Sequence, residues 1–408
     1  MIPVAQALDH VITAMTVVNG EDVPLSDCLG RVLAVDAASR LSHPPVAVSS
    51  MDGYAVRSGD VAVVPATLTL IGESQAGSGY DGSVGPGQAV RIFTGAPVPG
   101  GSDVVIMQEN TESSEGVIRV LEGAPAGNFI RPAGMDFTAG DVLMETGTLL
   151  TARHIGLAAA MNLPSLNVRR RPRIAIMATG DELALPGEEI GPAQIISSNS
   201  FALQAYVTAM GGEPVNLGIA RDTEDSLRES LDKAIGCDLL VTIGGASVGD
   251  YDLVGKVLMA EGLKQIFHKI AMRPGKPLLF GTMGARFDGM PVLGMPGNPV
   301  STGVCSVLFL KPALDAMLGI RKTDAPAQTA VLGSDLGEND KRQDYIRAGL
   351  APGADGDLVA TPLGKQDSAM QARFAAADCL IIRPALAPAA KAGDRVTIEP
   401  LGGSVFSL

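Results

Sequence analysis

The chain of 408 residues has no tryptophan, only five tyrosines and ten phenylalanines, and a formal net charge of -13. A nucleic-acid binder carries the opposite balance, a basic footprint, so DNA and RNA are set aside as partners. An acidic chain still binds a polyanion where the local loop is basic, because charges farther away than about 8 Å are largely screened at physiological salt. Arg273 and Lys276 supply such a locality. Cysteine is sparse as well: Cys28, Cys237, Cys305 and Cys379 form no close pair and no CxxC, and His10, His43, His154 and His268 are scattered. That spacing excludes a zinc site and a disulfide scaffold and reads each cysteine as a small buried hydrophobe in a reducing compartment.

The amino terminus lacks a basic n-region and a continuous apolar h-region, so no secretory signal is read there. Val4, Leu8, Val11, Ile12 and Met15 fall instead at helical spacing. No apolar run approaches the roughly eighteen residues that a membrane span needs. A soluble, cytoplasmic chain with no membrane partner is expected. Low-complexity tracts and repeats of fixed period are also missing.

Aliphatic residues are plentiful, and the length suggests two to four domains, each with a core of its own. After the first helix, Leu41-Ser-His-Pro-Pro-Val46 breaks the pattern, and short β-type runs punctuated by Gly and Pro continue to about residue 141. Those runs include 62–71, 89–93 and 104–108. Helical spacing returns over 149–161, so the flanking pieces can pack together and leave 46–141 as an insertion. A basic linker, Arg169-Arg-Arg-Pro-Arg173, precedes a different grammar: strands at 174–178, 215–219 and 239–243 alternate with helices at 198–210, 222–235 and 251–261. Alternation of this kind gives a parallel sheet with helices on its faces. Asp222 before Thr223-Glu-Asp-Ser-Leu227 is a candidate N-cap as well as a candidate functional acid. Past residue 322 a series of short strands points to a small barrel or sandwich.

Within the alternating region three strands run into glycine-rich turns: Ile243-Gly-Gly-Ala-Ser-Val-Gly-Asp-Tyr-Asp252, Met272-Arg-Pro-Gly-Lys-Pro277 and Gly294-Met-Pro-Gly-Asn-Pro-Val-Ser301. Open α/β sheets place ligands at the carboxyl ends of their strands, and glycine lets backbone N–H groups approach a phosphate. Gly244, Gly245 and Ser247 are therefore candidate phosphate binders, and Arg273 with Lys276 a candidate oxyanion clamp on a proline-stiffened loop. Each charge-assisted contact is worth about 1.5 to 3 kcal/mol. Pro296 and Pro299 fix the third turn. A fourth turn, Ala178-Thr-Gly-Asp-Glu-Leu183, adds Thr179, Asp181 and Glu182. Carboxylates beside a phosphate site suit a Mg²⁺ ion held between carboxylate and phosphate oxygens, and Glu182 and Asp252 are its candidate ligands.

Taken together, Thr179-Gly-Asp-Glu-Leu183, Gly244-Gly-Ala-Ser-Val-Gly249, Arg273-Pro-Gly-Lys-Pro277 and Pro296-Gly-Asn-Pro-Val-Ser301 resemble the molybdopterin molybdenumtransferase family of the MoeA/gephyrin type. Ser50-Met-Asp-Gly-Tyr-Ala-Val56, Thr94-Gly-Ala-Pro-Val-Pro99, the Met-Gln-Glu within 105–109, and Asp136 after Pro132-Ala-Gly-Met135 extend the resemblance to the β-rich insertion. It covers the whole chain in order. The resemblance implies an α/β multidomain fold: a doubly wound, mostly parallel molybdopterin-binding domain at 171–321, a β-rich inserted domain at 46–141, a mixed N-terminal linker and dimerisation domain at 1–45 plus 142–170, and a C-terminal β-barrel at 322–408. It further implies a homodimer whose cleft lies between the α/β domain of one subunit and the inserted domain of the other.

By the same resemblance the chain inserts molybdate into adenylylated molybdopterin, with Mg²⁺-dependent hydrolysis of the adenylate and release of AMP. The family's functional positions fall on Asp52, Thr94, Asp136, Glu182, Asp222, Asp252, Arg273, Lys276, Arg347 and Ser368. Arg273 stands where many members carry lysine, and Lys365-Gln-Asp-Ser368 departs from the usual Gly/Ser-rich stretch. Two rivals share the fold, a molybdopterin adenylyltransferase and a non-catalytic scaffold. The long flanking regions speak against the first, and the missing fused domain against the second. Tungstate in place of molybdate, docking of an adenylyltransferase and the identity of the acceptor molybdoenzymes stay open.

Overall fold

The computed structural model describes residues 1–244, 253–321, 326–353 and 355–402. Its centre is a six-stranded sheet in the order Glu213–Ala220, Arg173–Thr179, Leu239–Ile243, Pro291–Met295, Leu279–Thr282, Lys264–Phe267. The first four strands run parallel, Leu279–Thr282 runs against them, and Lys264–Phe267 reverses again into their direction. Leu239–Ile243 and Pro291–Met295 are buried along their whole length, as strands covered on both faces must be. Alternate residues serve different cores: Ile174, Ile176 and Ala178 face one side with Val241 and Leu293, while Ala175 and Met177 face the other with Leu240 and Val292. Helix Asn199–Ala209 covers the first face, and helices Glu224–Lys233 and Leu253–Ala260 cover the second.

The first face also takes a continuous helix over Pro299–Leu318, long and apolar enough by composition to cross a membrane, although Lys311 and Asp315 interrupt any purely apolar run. Two thirds of it is buried inside the protein, against Phe280, Leu293 and the first helix. That first helix, Val4–Thr13, buries Val4, Ala7 and Val11 in this same core. The N–H of Val18 then donates to the carbonyl of Met317 at 2.9 Å.

From there the chain builds a smaller unit by leaving and returning. Gly20–Pro24 pairs antiparallel with Ser165–Arg169, and Ala37–Ala38 with Val142–Met144, around Cys28, Leu33, Leu150 and Met161. Between these returns lies a six-stranded sheet in the order Val104–Met107, Gly53–Val56, Gln88–Ile92, Ala66–Ser74, Val117–Val120, Thr111–Ser114.

At the carboxyl end Gln343–Pro352, Leu358–Pro362, Thr329–Leu332, Arg395–Pro400 and Cys379–Arg383 close into a five-stranded barrel, because Cys379–Arg383 pairs back onto Gln343–Pro352. Closure leaves no free edge, which decides between the barrel and the sandwich. Met272–Arg273 adds parallel to Gln343 and Asp344 and ties the barrel to the α/β layer.

The helix expected to be capped by Asp222 starts one residue later. Thr223 is its N-cap, with extended backbone and a side chain that accepts from the Ser226 N–H at 3.3 Å. The Ser226 hydroxyl in turn accepts from the Arg221 N–H at 3.0 Å, so the entry to the helix is closed without the Asp222 carboxylate. We expect Thr223→Ala to cost about 1 kcal/mol and Asp222→Ala less than about 0.5 kcal/mol, read from urea midpoints of the full chain.

Candidate functional site

Because strands Arg173–Thr179, Leu239–Ile243 and Pro291–Met295 are parallel neighbours, their carboxyl ends emerge side by side. All four turns singled out above reach a cavity of about 560 Å³, the second only through Pro277, and its lining includes Thr179, Glu182, Gly244, Pro296, Asn298 and Pro299. Gly244 has φ +89°, and a Cβ on it would sit 3.1 Å from the Thr179 carbonyl oxygen, so the turn needs glycine. Thr179 is buried and donates its hydroxyl to the Ile243 carbonyl at 3.3 Å. The third turn is pinned from two sides: Asn199 Nδ2 donates to the Gly297 carbonyl at 2.6 Å, and the Thr302 hydroxyl donates to the Pro296 carbonyl at 2.6 Å.

Glu182 projects exposed at this cavity and makes no ion pair among the described residues. The sequence placed Asp252 beside it, with Gly245 and Ser247, but these three lie outside the described residues. Asp222 is exposed and sits one turn away; its N–H lies 3.4 Å from Asp181 Oδ1, and neither acid lines the cavity. Among the described residues no group of three His, Cys, Asp or Glu side chains could hold a metal ion alone.

A second cavity, of about 490 Å³, lies against the barrel. Arg273 and Arg347 both line it, in different electrostatic states. Arg273 is spent: its Nε donates to Asp344 Oδ1 at 2.8 Å, its Nη2 donates to Asp344 Oδ2, and its Nη1 lies 3.5 Å from Asp340. The Asp344 carboxylate holds the Arg273 pKa above its ordinary value. Arg347 is only 2% exposed and has no ion pair among the described residues. Burial lowers its pKa, although a guanidinium keeps its charge. Lys276, three residues after Arg273, is exposed and likewise without an ion pair among the described residues. Of the two cations of this turn, Arg273 is thus paired with carboxylates and Lys276 is not.

Ser368 joins the two cavities. Its hydroxyl accepts from Asn298 Nδ2 at 3.0 Å and its carbonyl accepts from the Val300 N–H at 3.0 Å. The barrel loop that carries Ser368 is thereby fixed to the turn that opens helix Pro299–Cys305. Asn298 was visible in the sequence only as part of its motif. Gln366, which grips Arg347, gave no sequence signal, and Asn199 gave only its place at a helix start.

The third group lies in the inserted unit. Asp52 Oδ1 accepts from the Thr94 N–H at 2.7 Å and from the Thr94 hydroxyl at 2.8 Å. These two hydrogen bonds, the backbone one first, hold the Asp52 carboxyl below the usual carboxylate range. Asp136 lines a neighbouring cavity of about 580 Å³ with His43 and Arg131. No hydrogen bond or ion pair among the described residues links Asp52, Thr94 or Asp136 to the α/β turns.

Comparison with known proteins follows the same division. Residues 2–162 match the MoeA N-terminal region (domain I and II), 175–316 a probable molybdopterin binding domain, and 329–401 the MoeA C-terminal region (domain IV). A molybdopterin molybdenumtransferase of Nostoc sp. is 39% identical over 81% of this chain and 77% of its own length. One from Haemophilus influenzae is 32% identical over 93% of both chains. The crystal structure of the molybdopterin biosynthesis MoeA protein from Pyrococcus horikosii superposes with a TM-score of 0.85 at 31% identity, covering 99% of this chain and all of the other.

The Asp52 pair yields a direct test. A lowered pKa marks a stabilised carboxylate, whose contribution is present above the ordinary range and is lost as pH falls through the lowered value. In Thr94→Val the backbone donor remains and the hydroxyl goes, so carbon-detected NMR should find Asp52 titrating partway back toward about 3.9. An unmoved titration would show that the hydroxyl contributes nothing.

Proposed function

The chain belongs to the molybdopterin molybdenumtransferase family of molybdenum cofactor biosynthesis enzymes, and from that premise we propose that it inserts molybdate into adenylylated molybdopterin with Mg²⁺-dependent hydrolysis of the adenylate and release of AMP. The observation that carries this reading is the junction at Ser368, which sets a glycine and proline cleft beside a cavity containing a buried arginine with no ion pair among the described residues. One side suits the organic substrate's phosphates and the other the oxyanion to be inserted.

In this reading the Gly244 turn and the Pro296 to Pro299 turn receive the nucleotide end, and Lys276 and Arg347 hold oxyanions. Hydrolysis of a phosphate bond needs placed charge more than a covalent nucleophile. The donor set fits Mg²⁺: a hard cation takes one or two carboxylates and completes its shell with water and substrate phosphate, and Glu182 is an exposed, unpaired carboxylate at the cavity. Glu182 and Asp252 would hold the ion, which when bound neutralises charge developing on the phosphate oxygens. Asp52, Thr94 and Asp136 would complete the cleft of a second subunit in a homodimer, since they are unlinked to the α/β turns of their own chain. The four free, buried cysteines fit work in the reducing cytoplasm.

Supplied with adenylylated molybdopterin, Mg²⁺ and molybdate, the protein should release AMP and retain molybdenum in step. Glu182→Gln should raise the Mg²⁺ needed and lower turnover on the order of 100-fold, with folding unchanged. AMP release that ignores molybdate would overturn the reading.

A further inference from the structure

We propose that Gln366 is the positioning residue of the barrel cavity, its neutral amide aiming the Arg347 guanidinium while leaving that charge free for a tetrahedral dianion. The inference rests on the reading of this cavity as the oxyanion site and adds the residue that makes Arg347 fit for it.

Gln366 bridges the strand Gln343–Pro352 and the loop that leads to Ser368. Its Oε1 accepts from Arg347 Nε at 3.1 Å and from the Arg347 N–H at 3.0 Å. Its Nε2 donates to the carbonyls of Arg347 and Leu363, each at 3.1 Å. Both ends of the amide are used, and reversing it would set NH₂ against two donors, so its orientation is determined. Arg347 Nη1 is 3.4 Å from the Met370 carbonyl, and Nη2 has no protein partner among the described residues. Every acceptor on Arg347 is thus uncharged.

The cavity does contain acids, and none hydrogen-bonds to or pairs with this arginine among the described residues, although the Asp367 charge acts on it from a distance. Asp344 is taken by Arg273, Asp367 turns Oδ1 to the Ala369 N–H at 2.9 Å, and Glu338 makes no ion pair among the described residues. A carboxylate at position 366 would accept the same two hydrogen bonds as the amide and would cancel the charge. The amide thus supplies the geometry of a salt bridge without its neutralisation.

The test titrates the full-length protein with molybdate alone by calorimetry and measures half-saturation for each substrate in turnover. Gln366→Glu should weaken molybdate binding about tenfold or more and raise the half-saturating molybdate equally, with half-saturation by adenylylated molybdopterin unchanged. Its second carboxylate oxygen faces the Arg347 and Leu363 carbonyls in place of two donors, so the thermal midpoint should fall. Gln366→Met, which loses the aim without adding charge, should weaken molybdate less than Gln366→Glu does. Full-strength molybdate binding by Gln366→Glu, alongside loss of binding in Arg347→Gln, overturns the inference and leaves the cavity reading intact. Normal binding by Arg347→Gln instead overturns the cavity reading and the inference with it. Should Gln366→Glu fail to fold, unaltered affinity in Gln366→Met is the overturning result.

Discussion

The bidentate pair between Arg273 and Asp344 fixes the barrel against the α/β layer and forms part of the wall of the barrel cavity. The pair does not stand alone: Met272–Arg273 joins the barrel as an added strand, and Tyr345 and Leu380 of the barrel enter the core that holds Phe309 and Leu310. An ion pair with one buried partner contributes little net stability, because desolvation offsets the attraction. What it supplies here is registry. Asp344 is 7% exposed, so a shift in register that parted it from Arg273 would strand a buried charge.

Registry of this kind explains how the protein divides its cations. Arginine suits both structural and ligand roles, and the two roles demand opposite surroundings. Arg273 is surrounded by Asp344, Asp340 and Asn339; Arg170 is held by both oxygens of Asp238 at 2.7 Å. Arg347 is buried more deeply than either and meets only amide and carbonyl oxygens. Burying a cation without a counter-ion is costly, and Arg383, 7% exposed and held among the described residues by the carbonyls of Gly337 and Pro388, shares that state in the same cavity.

Much of this architecture was legible beforehand, for definable reasons. Period-two and period-3.6 patterns are local properties, so the strands at 174–178 and 239–243 and the helix at 198–210 were readable within a residue or two. The glycine and proline turns were readable because backbone geometry restricts which residues can occupy them. Partnership was not. Nothing near Arg273 in the chain announces Asp344, and nothing near Arg347 announces Gln366, because the first pairing is made by strand register across the barrel junction and the second by a loop folding back on the strand that carries Arg347. The cap at Thr223 shows the same limit on a smaller scale: Asp and Thr are both good caps, and a one-residue choice between them is decided by the packing of the helix.

The docking of the first helix has a consequence for the order in which the chain matures. Val4, Ala7 and Val11 find their partners among residues of the 174–317 segment, and Val18 closes onto Met317. A ribosome delivers this helix well before its partners. The inserted sheet, whose strands all fall between Gly53 and Val120, can fold while synthesis proceeds. The α/β core cannot, since its innermost helical face is completed only after three quarters of the chain has emerged. This helix is thus made well before it can leave water, and its apolar stripe needs shielding in the nascent chain until then.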